Sequence, residues 1–296
     1  MSAPAVVPLG TGQVDWMTAR RALAAEVARV TDMLRQVTHP DAPALGEWSL
    51  VEVAVHLSQA FLAVPALARG DITGFFDSVP PGAAESHSGS LVADIWDLAG
   101  ATTDLVKVTD QRDPRVLADL ISQRAAAYLA ECETRSAHER HPWLVEGITA
   151  AQPTFTCHLL GEISVHGYDI ARADGRRWEL DRGAATLVVD GFIMPVLQAL
   201  GTAMVVPGAA VGVTVTYELS LRHGGKWYLR FVNGELSIDQ NPGGRVDCRL
   251  SAQGSAFLLL AYNRINQFKA IGRGQILASG RKPWMGLRLR SLIRNP

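Results

Sequence analysis

The sequence predicts a multidomain chain of α and α+β class, with a helical domain over residues 10–203 and an α+β domain built on an antiparallel sheet over residues 204–296. Three observations lead there. Apolar residues recur at helical spacing through the first two thirds and then alternate, the period of strands. Charge divides at the same place: from Met204 onward there are 13 basic and 4 acidic residues, a net of +9, which leaves 15 basic and 25 acidic, a net of −10, for residues 1–203. A length of 296 residues at 48% hydrophobic content suffices for one large core or two ordinary ones and excludes a disordered chain.

The helical part begins with Val14–Val37, where Met17, Leu23, Val27, Val30 and Leu34 fall on one face. A turn-rich stretch, 38–47, precedes Ser49-Leu-Val-Glu52, a capping box that fixes the start of a helix running to about Arg69. Phe75–Ser90, with Pro80, Pro81, Gly82 and Gly89, reads as a long loop of the kind that often borders a site. Helices are expected at Leu91 to about Val108, and at Pro114 to about Arg135 behind an Asp113 cap. A loop through His141-Pro142 then leads to helices from about Pro153 to Ala173 and from Arg182 to Leu200. In the last third, Val213–Arg222, Lys226–Val232 and Glu235–Asp239 read as strands joined by His223-Gly-Gly225 and by Asn233-Gly234, a strong hairpin turn. Val246–Leu250 reads as a further strand, Ser255–Asn263 as an apolar helix, and Trp284–Ile293 as a basic closing helix.

Composition excludes several function classes. A net charge of −1 gives no overall field for nucleic acid. Cys132, Cys157 and Cys248 are widely spaced, with no CxxC pair, and no compact apolar block precedes a small-residue cleavage site, so the expected location is a reducing cytoplasm. Gly191–Tyr217 carries no charge and is long enough to span a bilayer. Pro195, Gly201, Pro207, Gly208 and Gly212 interrupt it, so it reads as a helix end, a turn and a strand, with no stable membrane insertion.

The sharpest local feature is Gly161-Glu-Ile-Ser-Val-His166-Gly-Tyr-Asp169. Glu162 and His166 are four residues apart, on one helical face and within reach of a common ion. That spacing also suits a solvated surface pair, and it is not the HExxH of a zincin. His56 lies among Val51, Val53, Val55, Leu57 and Phe61, where a histidine is either a core residue or a ligand. If their helices face one another, His56, Glu162 and His166 form a two-imidazole, one-carboxylate set, which leaves the fourth position of zinc open as catalytic sites do. His158, four residues before Glu162, is the substitute ligand if His56 faces away. Asp169 either holds the His166 imidazole from behind or caps a packing contact.

Two segments carry a resemblance. Trp48-Ser-Leu-Val-Glu-Val-Ala-Val-His56-Leu, with Glu162-Ile-Ser-Val-His166-Gly-Tyr-Asp169-Ile-Ala-Arg-Ala about a hundred residues later, resembles the mycothiol-dependent maleylpyruvate isomerase family. The resemblance implies a DinB-like four-helix bundle with His56, Glu162 and His166 as ligands of zinc or another divalent metal, and mycothiol as cofactor. Val246-Asp-Cys-Arg-Leu-Ser, the apolar helix and Ala270-Ile-Gly-Arg-Gly-Gln-Ile-Leu-Ala-Ser-Gly280 look like the end of a sterol carrier protein type 2-like domain. Arg264 falls where family members carry an arginine near the active site, which implies a catalytic role for it. The arginine-rich end (Arg281, Lys282, Arg288, Arg290, Arg294) departs from the family's shorter tails.

The expected partners are a small-molecule thiol and an electrophilic substrate. A thiol is a weak nucleophile until ionised, and a metal with an open position ionises it. An isomerase would add the thiolate to an activated double bond, allow rotation and expel it; an S-transferase would leave it attached. Arg264, with Arg222 and Arg230 as further candidates, supplies the cation that an anionic substrate needs. Two other readings remain: a carrier of lipid or another hydrophobic ligand, with the closing helix at anionic membranes, and a metal-binding module without turnover.

Overall fold

The structure is a computed structural model, which describes residues 6–10, 14–71, 96 and 98–294. It divides into two compact units, Met1–Leu9 with Asp15–Leu180, and Gly10–Val14 with Asp181–Pro296. The division thus falls at Leu180/Asp181, where the sequence reading set it at 203/204. The reason is the helix beginning at Arg182: its backbone closes against Gly254 and its side chains tie down the first hairpin of the second unit.

Four long helices dominate the first unit: α1 (Trp16–Leu34), α2 (Leu50–Ala68), α4 (Pro114–Cys132) and α5 (Gln152–Ala173), with the shorter α3 (Leu98–Val108) beside α2. α1 packs on α4 and α5, and α2 packs on the same two. Caps set the boundaries. Asp15 Oδ1 accepts from Thr18 N, Asp113 Oδ1 accepts from Arg115 N ahead of Pro114, and the Ser49/Glu52 box opens α2 as its residue pattern requires. At the other end of α2, Gln152 and Arg135 both donate to the Ala68 carbonyl. The core contains Leu23, Val30, Phe61, Leu117, Phe155 and Ile163, all essentially inaccessible, and each such side chain contributes roughly 1.5–3 kcal/mol of burial. A buried polar knot fixes the register of three helices: the Thr156 hydroxyl lies 2.8 Å from both Trp16 Nε1–H and the Tyr128 hydroxyl, and donates to the Gln152 carbonyl.

Short strands frame these helices. β2 (Pro43–Leu45) and β3 (Trp48–Ser49) form a hairpin that delivers the chain into α2. β5 (Ile148–Ala151) pairs with β4 (Arg140–Pro142) and, in parallel, with β1 (Val7–Pro8). The stretch through His141-Pro142, expected as a loop, is therefore a strand; segments of two to four residues carry no readable period. The expected loop Phe75–Ser90 and the start of the helix expected from Leu91 lie outside the described residues.

In the second unit, β6 (Thr214–Arg222), β7 (Lys226–Val232), β8 (Glu235–Asp239), β9 (Cys248–Gln253) and β10 (Ile276–Gly280) form one sheet in the order β10-β9-β6-β7-β8. The predicted hairpins are present, and Asn233 and Gly234 both have positive φ. The sheet is not wholly antiparallel: β9 runs parallel to β6, because the chain crosses from β8 at one edge to the far side of β6. Alternation in a sequence gives the faces of a strand and not its direction, so this crossover was illegible. β9 also starts two residues later than expected. The charge-free segment resolves as read, into the end of a helix, a turn and β6: α6 (Arg182–Val188) passes through a π-helical turn, Val189–Ile193, into α7 (Met194–Leu200). Asp190, in that turn, accepts from Gly225 N at 2.7 Å and Trp227 Nε1 at 2.8 Å. Burial pushes its carboxyl up, against those two donors. Gly224 and Gly225 serve this close approach, since a Cβ on either would lie under 3 Å from Thr186 or Asp190; it is His223 that takes the positive φ. α8 (Gly254–Ala261) matches the apolar helix, followed by α9 (Gln267–Gly272). The expected closing helix is instead a 3-10 turn, Pro283–Leu287, and a single helical turn, α10 (Leu289–Leu292). By length and composition, Leu50–Ala68 and Arg182–Met204 could each cross a membrane; 72% and 56% of those windows are buried within the protein.

α5 lies close against α1 at Gly167, where an added Cβ would lie 2.5 Å from Val30 Cγ2. Val30 is fully buried and has no room to yield. Gly167→Ala is expected to lower unfolding stability by about 1–3 kcal/mol in chemical denaturation; an unchanged midpoint would show that the two helices separate freely.

Candidate metal centre

α2 and α5 each bring their singular polar residues to one place. The capping box starts α2 at Leu50 and so sets His56 on the face toward α5, where Trp48 covers it at 5.5 Å between ring centroids. α5 is buried over most of its length, and its 3.6-residue period stacks His158, Glu162 and His166 along one side. His56 Nε2 lies 3.0 Å from Glu162 Oε2, and His166 Nε2 lies 3.5 Å from the same oxygen. The two imidazoles meet edge to face at 4.7 Å. His56 therefore faces inward, and the helices converge as the ligand set requires.

The donors fit a metal ion. One atom from each of His56, Glu162 and His166 lies within 4.8 Å of the others. Tetrahedral zinc with bonds of ~2.0–2.1 Å sets its ligand atoms about 3.3 Å apart, so modest rotation closes the set. All three side chains are under 20% exposed. His158 is not in the group; its Nε2 reaches the other carboxylate oxygen, Oε1, at 3.4 Å. Asp169, fully buried, lies 3.2 Å from His166 Nδ1, behind that imidazole. An N–H donated there leaves the Nε2 lone pair free for a metal.

Electrostatics prepares the same atoms. Burial by itself would raise the Glu162 carboxyl, but His158, His166 and His56 hold it well below the usual carboxylate range. Burial lowers His56 despite Glu162, which favours its neutral ring. His166 goes the other way: burial opposes its charge, yet Asp169 and Glu162 lift it to about 9. The two carboxylates beside it thus favour the charged form of His166.

The remaining sequence candidates lie in the second unit. Arg264 sits just beyond α8, where Nη1 donates to the Tyr262 carbonyl at 2.6 Å and the guanidinium lies 6.0 Å from the Tyr262 ring centroid. Arg222 donates to the Gly274 carbonyl and Arg230 to the Pro242 carbonyl. The cysteines are buried; burial pushes the Cys132 thiol up to about 11 and also raises Cys248. Sequence reasoning missed Trp143, whose Nε1 lies 3.4 Å from His158 Nδ1. Only an indole fifteen residues before a histidine signals it.

Comparisons with known proteins come to the same architecture. Residues 204–285 match the SCP-2 sterol transfer family. No curated protein matches the sequence. Among solved structures, the mycothiol-dependent maleylpyruvate isomerase aligns over 90% of this chain and 93% of its own, with a TM-score of 0.50 and 11% identity. A variant of that enzyme with one histidine replaced by alanine aligns over the same shares at 0.51 and 11%. At this identity the likeness is one of fold, and it agrees with the resemblance carried by the Trp48–His56 and Glu162–Asp169 segments.

Because His166 holds a proton up to about pH 9, zinc uptake at pH 7 should release about one proton per ion. Its apparent association constant should rise roughly tenfold per pH unit between pH 7 and 9 and flatten above. Chelator competition across that range checks this; a flat profile would contradict it.

Proposed function

We propose that the protein is a metal-dependent, thiol-using isomerase whose metal, zinc or another divalent ion, is held by His56, Glu162 and His166 in a DinB-like four-helix bundle. The observation that carries the reading is the donor set itself: two imidazoles and one carboxylate from facing helices, a set that would leave tetrahedral zinc a fourth position for a thiol. The fold shared with a mycothiol-dependent maleylpyruvate isomerase supports it and makes mycothiol the thiol to test. The burial of all three cysteines supports it as well, since a buried structural cysteine is a poor nucleophile and a thiol from solution suits the reaction better.

When bound, the metal supplies a Lewis-acidic position that favours the thiolate over the thiol. The protein does the rest. His56 and His166 contribute neutral nitrogen donors and Glu162 a single negative charge, so a divalent ion keeps a net positive charge for an anionic sulfur. Asp169 takes the Nδ1–H of His166 and orients that ring. Burial excludes competing water. Addition of the sulfur to a conjugated cis double bond forms a C–S bond and shifts the electron pair toward the conjugated carbonyl. Rotation about the resulting single bond and return of the pair break the C–S bond and release the trans isomer, with the thiol regenerated. Arg264 is proposed to pair a substrate carboxylate, and the protein to work in the reducing cytoplasm.

A second reading has its own observation: the SCP-2 match over residues 204–285 favours a hydrophobic-ligand carrier acting through the second unit. With zinc, mycothiol and maleylpyruvate supplied, the isomerase reading expects turnover without net thiol consumption, and a loss of at least about 100-fold in His56→Ala. Stoichiometric thioether would assign S-transfer. No thiol-dependent reaction, alongside saturable lipid uptake, would overturn the enzyme reading in favour of the carrier.

A further inference from the structure

We infer that Trp143 and His158 are positioning residues that lock the Glu162 carboxylate in its metal-ligating pose; this rests on the metal-centre reading above. Trp143 follows β4, where its N–H donates to the Ile148 carbonyl at 2.8 Å, and its side chain is buried. An indole N–H can only donate. Its Nε1 faces His158 Nδ1 at 3.4 Å, with the rings edge to face at 5.9 Å. His158 Nδ1 must therefore carry the lone pair, which puts the imidazole proton on Nε2. That proton points at Glu162 Oε1, 3.4 Å away.

The consequence falls on the other carboxylate oxygen. With Oε1 engaged by His158, Oε2 is turned toward His56 and His166, the atoms that complete the ligand group. Spacing alone makes His158 and His166 equivalent, one turn before and one turn after Glu162. Their outer partners separate them. Asp169 accepts at Nδ1 of His166, so that Nε2 is the nitrogen a metal would take; Trp143 donates at Nδ1 of His158 and leaves its Nε2 with a proton for the carboxylate. One histidine becomes a ligand and the other an orienting donor, by the chemistry of the group behind each ring.

The test uses the full-length protein and zinc or cobalt alone. Trp143→Phe and His158→Leu are expected to weaken zinc about 10–100-fold in chelator competition, and to alter the visible absorption of the cobalt-loaded protein. His158→Gln, which keeps an N–H for Oε1, should recover most of the affinity. Nitrogen-15 NMR of the metal-free wild type should show His158 as the Nε2–H tautomer, a readout that needs no variant to fold. An Nδ1–H tautomer, or wild-type zinc affinity in His158→Leu, would overturn the positioning role while leaving the metal centre standing. Absence of zinc binding by the wild type would instead overturn the metal-centre reading, and the inference with it.

Discussion

A buried carboxylate among imidazoles is the constraint around which the first unit is arranged. Glu162 is nearly enclosed and would be costly as an isolated anion. Three histidines within 3.5 Å keep it charged. Each of those contacts depends on a helix position fixed elsewhere: the capping box sets where α2 begins, Gly167 lets α5 lie against α1, and the Thr156 knot holds α5 in register with α1 and α4. The packing of the helices and the chemistry of the centre are therefore one problem.

The groups proposed to hold a divalent ion also favour a proton on His166. His166 lies between the carboxylates of Glu162 and Asp169, which favour its charged form. A metal held by His56, Glu162 and His166 would take the Glu162 charge, and Asp169 at Nδ1 would orient the His166 ring. No large movement is required, since the ligand atoms already lie within 4.8 Å of one another. The second unit is built on other principles. Its sheet is tied to α6 and the π-turn through Asp190, and from Cys248 to the end it carries no acidic residue.

Much of this was legible from residues alone. Caps at Ser49 and Asp113 and the Asn233-Gly234 turn are local signals with local causes, and they placed α2, α4 and the second hairpin. His56, Glu162 and His166 were legible as a possible set because His56 is a lone histidine among apolar residues and Glu162 and His166 share one helical face. That their helices face each other was not, because it depends on packing. The contacts divide at Leu180/Asp181 while the family match begins at residue 204, because the helical period continues through α7 and membership in a unit depends on what a helix touches. The parallel entry of β9 was hidden for the reason that pattern carries no direction. Trp143 was missed because a hydrogen bond across fifteen residues leaves no periodic trace.

Metal content of the purified full-length protein, after zinc has been supplied, tests the central claim most directly when His56→Ala and Glu162→Ala are measured beside the wild type. The account predicts one zinc per wild-type chain and loss of it in both variants, since two distant segments must contribute to one ion. A wild type that holds no zinc, or variants that hold it undiminished, would contradict the account.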